Sequence, residues 1–204
     1  TIKNERQDYT EEEKEAIRKG KEFFMQCEES KNFYPLKSSD KKCKMKFVNL
    51  EGQSLGIGFC EAVIDAPPEE CLAFEFRKDS REKVAGLKFY RTEQKVKHLN
   101  HHSQLYLSTR NLGIPGLSNR DFRTKCIWKK DKKCYWTCYE NSTELDVEFP
   151  MKKGNVLGSA RTVWKFEDIS KAGSLVQTKV SFATSNDIKG SVPKIVMNAQ
   201  AHKF

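Results

Sequence analysis

Apolar positions recur along this chain with two alternating periods, and each change of period marks a change of element. Thr10-Glu11-Glu12-Glu13 has the pattern of a capping box. Beyond it Ile17, Gly20, Phe24 and Cys27 fall on one helical stripe, which predicts a helix running to about Glu29. Its acidic first turn suits the positive end of the helix dipole, and a single stripe suits packing on the outside of a sheet. Short strands are predicted next at Phe33–Leu36, Cys43–Leu50 and Leu55–Ile64, with Ser-Asp and Glu-Gly turns between them. Asp65-Ala66-Pro67-Pro68-Glu69 reads as a helix start, with proline where no backbone donor is needed, and Cys71, Leu72, Phe74 and Phe76 give that helix apolar surface. A further short helix is predicted over Asp79–Tyr90, with Val84 and Leu87 inward.

From Glu93 the period returns to two. Gln94–Leu99 pairs with Ser103–Thr109, Phe122–Lys129 with Cys134–Glu140, and Val156–Phe166 with Leu175–Thr184, each across a turn of polar residues. Phe122, Thr124, Cys126 and Trp128 make one face of their strand bulky and mostly apolar. Cys134–Tyr139 is aromatic on both faces, with Trp136 on one and Tyr135 and Tyr139 on the other. In the last strand Val176, Thr178, Val180, Phe182 and Thr184 share a face; Asp187–Gly190 then turns the chain toward a terminal helix whose apolar face begins with Ile195, Val196 and Ala199. Strands grouped in this way imply a largely antiparallel sheet in one α+β domain spanning residues 1–204. Such a sheet, if curved, either fills its apolar face with a helix or leaves a cavity.

Composition adds a surface and a compartment. Hydrophobic residues make up 37% of the chain and charged residues 32%, the mean hydropathy is -0.72, and no apolar run approaches the roughly 18 residues of a membrane span. The opening TIKNERQDYT has no apolar core of the kind a secretion signal carries. The net charge of +9 describes a lysine-rich solvated face, and equally one drawn to an anionic membrane surface at about 1 kcal/mol per basic residue near the headgroups. Nucleic acid is disfavoured as a partner, because the basic residues are dispersed through strands and no zinc-finger spacing or RNP-type aromatic motif is present. Seven scattered cysteines suit reduced thiols in a cytoplasmic protein better than a disulfide framework.

Candidate chemistry is sparse. His98, His101 and His102 cluster at a predicted turn, where solvated histidines are commoner than metal-bound ones. Cys134 and Cys138 are separated by roughly 13 Å along a strand at about 3.3 Å per residue, too far to share a zinc ion. Glu144, Asp146 and Glu148 alternate as a solvated acidic edge in a loop or short strand. No nucleophile elbow, phosphate loop or histidine-based zinc-protease motif appears. No metal, cofactor or catalysis is therefore expected.

Three motifs carry a resemblance. Leu117-Ser118-Asn119-Arg120-Asp121-Phe122, then Phe149–Val156, then Asp187-Ile188-Lys189-Gly190-Ser191-Val192-Pro193-Lys194 stand in the order and approximate spacing found in START lipid-transfer domains, and the element order is similar to that family's helix-grip fold. The resemblance covers nearly the whole chain. It implies a curved antiparallel sheet around a tunnel for one lipid, a C-terminal lid helix and no catalysis. The lid would include Val192, Ile195, Val196 and Ala199; the gate loop would be Asn111–Ser118, with Leu112, Ile114 and Leu117 touching the membrane together with Val192. Counted to Phe204, the lid has about 13 residues, or roughly 20 Å, which is short for a full roof. Arg120 and Asp121 are expected to pin the base of the gate loop through a local ion pair.

One departure bears on the ligand. Many members carry a tunnel arginine three residues after the glycine matched by Gly154, where this chain has Leu157; Arg161, four residues on and on the same face of a regular strand, is expected to supply the headgroup contact instead. The usual Trp-Asp after the second helix is also missing, with Lys88-Phe89-Tyr90 in that region. Phe122, Cys126 and Leu157 would line the tunnel together with Ile195, Val196 and Ala199 of the lid, and Trp128, Trp136 and Tyr139 could surround a choline by cation–π contact. The expected ligand is a phospholipid, with sterol or sphingolipid as alternatives. The expected protein is a monomeric carrier peripheral to membranes, and the alternative is a lipid-sensing regulatory domain of a larger protein.

Overall fold

A computed structural model describes residues 8–190, apart from 39, 54, 82–90 and 133. The expected terminal lid helix, with Val192, Ile195, Val196 and Ala199, falls outside the described residues, as does most of the helix expected over Asp79–Tyr90. The first helix, α1 (Glu11–Glu29), has the expected boundaries and closes the capping box: the Glu13 amide donates to Thr10 Oγ1 and the Thr10 amide to Glu13 Oε2. The strands are β1 (Phe33–Leu36), β2 (Cys43–Val48), β3 (Ile57–Ile64), β4 (Arg91–His98), β5 (Ser103–Arg110), β6 (Arg120–Asp131), β7 (Cys134–Asn141), β8 (Val156–Leu157), β9 (Ser159–Asp168) and β10 (Thr178–Asp187). Between them come α2 (Pro68–Phe76), α3 (Lys78–Arg81) and α4 (Leu145–Glu148).

One curved sheet takes in all ten described strands, in the order β1-β2-β3-β10-β9-β7-β6-β5-β4. Every neighbouring pair is antiparallel except β8, which lies parallel to β6. Two elements differ from the sequence reading. The single strand expected over Val156–Phe166 breaks at Gly158, where a side-chain Cβ would stand 2.7 Å from Phe122 Cε1. The acidic stretch around Asp146 is the helical turn α4, held by the buried Arg123, which donates to Asp146 and to the carbonyls of Leu145 and Phe149.

The two faces of the sheet have separate cores. On the convex face α1 buries Ile17, Phe23, Phe24 and Cys27 against Val48, Ile57, Phe59, Ile127, Trp136, Cys138, Val163 and Ala183. Gly20 lets the helix sit this close, since a Cβ there would lie 2.6 Å from Cys138 Sγ. On the concave face α2 buries Leu72 and Phe76 against Tyr106, Cys126, Trp128, Tyr135, Tyr139, Phe166 and Val180. Among the described residues no helix is long and apolar enough to cross a membrane.

The start of α1 is latched to the sheet by a buried pair. His102 is not a solvated turn residue: its Nε2 lies 3.2 Å from Glu13 Oε2, and Tyr9 packs on the imidazole at 4.3 Å and donates to the Trp128 carbonyl at 2.9 Å. Burial alone would push the Glu13 carboxyl up, but the Thr10 amide and His102 together outweigh it and hold the pKa below the ordinary carboxylate value. A carboxyl depressed in the folded state adds stability above its unfolded pKa, about 4.3, and that stability is lost as pH falls through the folded value. The helix start is therefore expected to loosen below about pH 4. Protection factors for the amides of residues 14–17, corrected for intrinsic exchange, should drop between pH 7 and pH 3 in the wild type and change less in Glu13→Gln. Equal drops in both proteins would remove Glu13 from this role.

Candidate functional site: the concave face of the sheet

Strand register assembles the site. A row of side chains crosses the concave face from edge to centre: Leu36 opposite Met45, Met45 opposite Cys60, Cys60 opposite Phe182, Phe182 opposite Trp164, Trp164 opposite Thr137, and Thr137 opposite Trp128. Trp164 and Phe182 stack with ring centroids 4.6 Å apart. A parallel row joins Cys43, Ala62, Val180, Phe166 and Tyr135. These residues come from strands far apart in sequence, and alternation alone puts them on one face. Trp164, Phe182, Met45 and Cys60 are half-buried, whereas Trp128, Tyr135 and Tyr139 are buried where α2 covers the sheet.

At the α2 end of this apolar wall lies a polar nest. Glu75 and Lys78 form a buried ion pair, and Tyr139 donates to Glu75 Oε1 at 3.0 Å. The Lys78 ammonium stands over the Tyr139 ring at 5.0 Å and the Tyr106 ring at 5.8 Å. Gln94 bridges the pieces, accepting from Tyr106 Oη at 3.3 Å and donating to the Lys78 carbonyl at 2.8 Å. Burial, then the neighbouring Cys126 and Glu75, push the Tyr139 phenol far above its ordinary value, so it remains a neutral donor. Gln104 donates to the Phe76 carbonyl at 2.7 Å, and its Oε1 is buried without a partner.

Of the residues expected to line a tunnel, Phe122, Cys126, Trp128 and Tyr139 lie on this concave face, as alternation required. Trp136 does not. It sits on the convex face, edge-on to Phe24 at 5.3 Å. Arg161 is on the convex side as well, with its guanidinium over the Phe23 ring at 5.6 Å and Nε 4.0 Å from Glu140 Oε1. The premise of a regular strand fails for it: the break at Gly158 separates Leu157 in β8, which is exposed, from Arg161 in β9. Sequence reasoning missed Trp164, Phe182, Phe166 and the Glu75–Lys78 pair. The alternation of β10 was a signal for Phe182, but an acid and a base three positions apart on a helix look like any solvated pair.

The loop expected to form the gate, Asn111–Ser118, joins β5 to β6 at the end of the sheet opposite the β9–β10 turn. Leu112 is buried, while Ile114 and Leu117 are half-buried. Gly113 and Gly116 have φ of 67° and 82°, conformations that favour glycine. Arg120 and Asp121 do brace this region, though with separate partners in place of the expected ion pair. Arg120 donates to the carbonyls of Ser118, Ile188 (3.0 Å) and Lys189 (3.3 Å), and Asp121 Oδ1 accepts from Thr109 Oγ1 (2.6 Å) and Asn155 Nδ2 (2.8 Å). One guanidinium thus ties the base of the gate loop to the turn that ends β10. That turn is built by the Asp187 carboxylate accepting from the Lys189 amide at 2.9 Å, followed by Gly190 at φ 77°.

No protein-family model matches this sequence, and no curated protein matches it by sequence. Its shape does have relatives. Human STARD10 superposes with a TM-score of 0.70 at 17% identity, over 99% of this chain and 78% of that one. Human StAR-related lipid transfer protein 5 gives 0.74 at 12% identity, over 96% and 91%. A STAR-related lipid transfer protein from Xanthomonas axonopodis gives 0.67 at 16% identity, over 84% and 91%. The curved sheet with α1 outside and an aromatic concave wall, whose register and braced gate loop are given above, is the helix-grip fold of the StAR-related lipid-transfer domains.

Proposed function

We propose that this protein binds one lipid against the concave face of its sheet and carries it between membranes. The observation that carries this reading is the largely apolar wall running from Leu36 through Cys60, Phe182, Trp164 and Thr137 to Trp128, with the polar nest of Glu75, Lys78 and Tyr139 on the same face. Each methylene moved from water into such surroundings gains about 0.8 kcal/mol, so two acyl chains would be held far more firmly than any polar ligand of similar size. A zwitterionic phospholipid is the favoured ligand, because the one buried polar cluster described beside the wall carries both signs, in the Glu75–Lys78 pair. Phe122, Cys126, Trp128 and Tyr139 complete the wall. Ile114 and Leu117 meet the membrane, the excess of basic residues holds the monomeric protein at an anionic surface, and the site works as a carrier without chemistry on the lipid.

Native mass spectrometry of protein equilibrated with phospholipid, sterol and ceramide separately should show one bound molecule with phospholipid. Binding of sterol or ceramide alone would overturn the choice of ligand, and an empty protein in all three would overturn the reading itself. In a vesicle-to-vesicle assay Ile114→Asp should slow transfer by about tenfold, the rate equivalent of about 1.4 kcal/mol, with binding in solution unchanged. Tight binding with no exchange by the wild type would instead favour a lipid sensor. Leu112 is a poor probe of the membrane, because its burial makes Leu112→Asp a folding defect.

A further inference from the structure

Two of the seven cysteines meet on the concave wall. Cys43 in β2 and Cys60 in β3 are 17 positions apart in sequence, and their sulfurs are 2.7 Å apart. Register explains the approach: Cys43 faces Ala62 and Cys60 faces Met45, so the two cysteines are diagonal neighbours on one face of an antiparallel pair. Both are only half-buried. Cys27, Cys126 and Cys138 are buried elsewhere, and Cys71 and Cys134 belong to α2 and β7. A gap of 2.7 Å is well inside the contact distance of two thiols and within an ångström of the roughly 2.05 Å of an S–S bond. β1 is one edge strand of the described sheet and β2 lies between it and β3, so the pair stands one strand in from that edge.

We propose that Cys43 and Cys60 are a redox site, closing reversibly to a disulfide that ties the edge hairpin to β3 across the concave wall. Burial, reinforced by the hydrogen bond with Cys43, pushes the Cys60 thiol up to about 12, so Cys60 rests as the neutral thiol. In this proposal Cys43 makes the attack on the oxidant and Cys60 the resolving step. With hydrogen peroxide, the Cys43 sulfur attacks one peroxide oxygen to give the sulfenic acid and one water; the Cys60 sulfur then displaces the second water as the S–S bond forms. Two electrons pass from the two sulfurs to the peroxide, and an external dithiol returns them. The cross-link joins Cys60, opposite Phe182 in the aromatic row, to the strand beyond it. Oxidation would thus stiffen the outer part of the surface on which the proposed lipid lies.

The test uses the whole reduced protein and one equivalent of hydrogen peroxide, followed by alkylation and peptide mapping. The expected product is 2 Da lighter, takes up two fewer alkyl groups and yields one cross-linked peptide pair containing Cys43 and Cys60. Its melting temperature should rise by about 6–12 °C, and dithiothreitol should reverse every change. Cys60→Ser should leave a Cys43 sulfenic acid that dimedone traps, while Cys43→Ser should leave Cys60 free. Cys43 and Cys60 both still open to alkylation, or a cross-link mapped to another pair, would overturn the proposal. The mass readout needs no lipid, so a cross-link that forms in a protein inactive in vesicle transfer leaves this site standing and the carrier reading refuted.

Discussion

Phe24→Ala is expected to lower the free energy of unfolding by about 3–5 kcal/mol, at the upper end of what a single core truncation does. Phe24 is fully buried at the middle of the α1–sheet interface, where its ring meets Phe59 at 5.4 Å and Trp136 at 5.3 Å. The close approach of the helix at Gly20 leaves the backbone no room to settle inward and refill the void. The loss therefore includes both the transfer term and most of the cavity term. Urea unfolding monitored by Trp fluorescence should give the number, with Met25→Ala as the control. Met25 is the next residue but points to solvent at 48% exposure, so its truncation should change stability by under about 0.5 kcal/mol. If the two variants behaved alike, α1 would not hold the convex core.

Arg120→Ala has the second largest expected effect, about 2–4 kcal/mol, and a distinctive spatial pattern. Arg120 is buried, and its three recorded acceptors are main-chain carbonyls from two separate segments: Ser118 at the base of the gate loop, and Ile188 and Lys189 after β10. Truncation leaves these carbonyls without a donor, at about 1–3 kcal/mol for each that water fails to reach. Gly190 is part of the same joint, since a Cβ there would come 3.3 Å from the guanidinium. Hydrogen exchange should accelerate together at residues 112–118 and 187–190 and stay unchanged in α1. Lysine is a point charge without the planar fork, so Arg120→Lys should fall between wild type and alanine. Loosening of only one of the two segments would show that Arg120 does not couple them.

This coupling gives the proposed carrier a physical logic. The loop that would meet the membrane and the turn leading to the proposed lid share one buried cation. In the proposed carrier, a disturbance of Ile114 or Leu117 at a bilayer would have a route to residues 188–189 through the hydrogen bonds of Arg120. The concave wall itself is braced from other directions, by α2 and the Glu75–Lys78–Tyr139 nest. Opening one end therefore need not disorder the surface proposed to hold the lipid.

Much of this architecture was legible before any coordinates. The capping box at Thr10, the stripe through Ile17, Gly20, Phe24 and Cys27, and the alternation in the strands are local signals. They follow from the 3.6-residue and two-residue periods that hydrogen bonding imposes on the backbone. That Phe122, Cys126 and Trp128 share one face followed from the same rule applied to one strand. Errors came where a local period had to be carried across an irregularity. At Gly158 the chain changes partner, from β6 along β8 to β7 and β10 along β9, and Phe122 takes the space a side chain there would need; nothing near residue 158 in sequence announces that ring. Arg161 was assigned through that break. Trp136 raised a different problem: a strand aromatic on both faces cannot reveal which face meets α1 until the helix is docked.

By itself, then, the sequence determined the element types, most of their boundaries and the antiparallel character of the sheet, because these depend on residues within a few positions of one another. Tertiary structure alone decided which face is the wall, because that depends on where α1 and α2 dock. It also decided the joining of Cys43 to Cys60, of Glu75 to Tyr139 and of Arg120 to the carbonyls after β10, because each contact is set by strand register or by a buried hydrogen bond between distant segments.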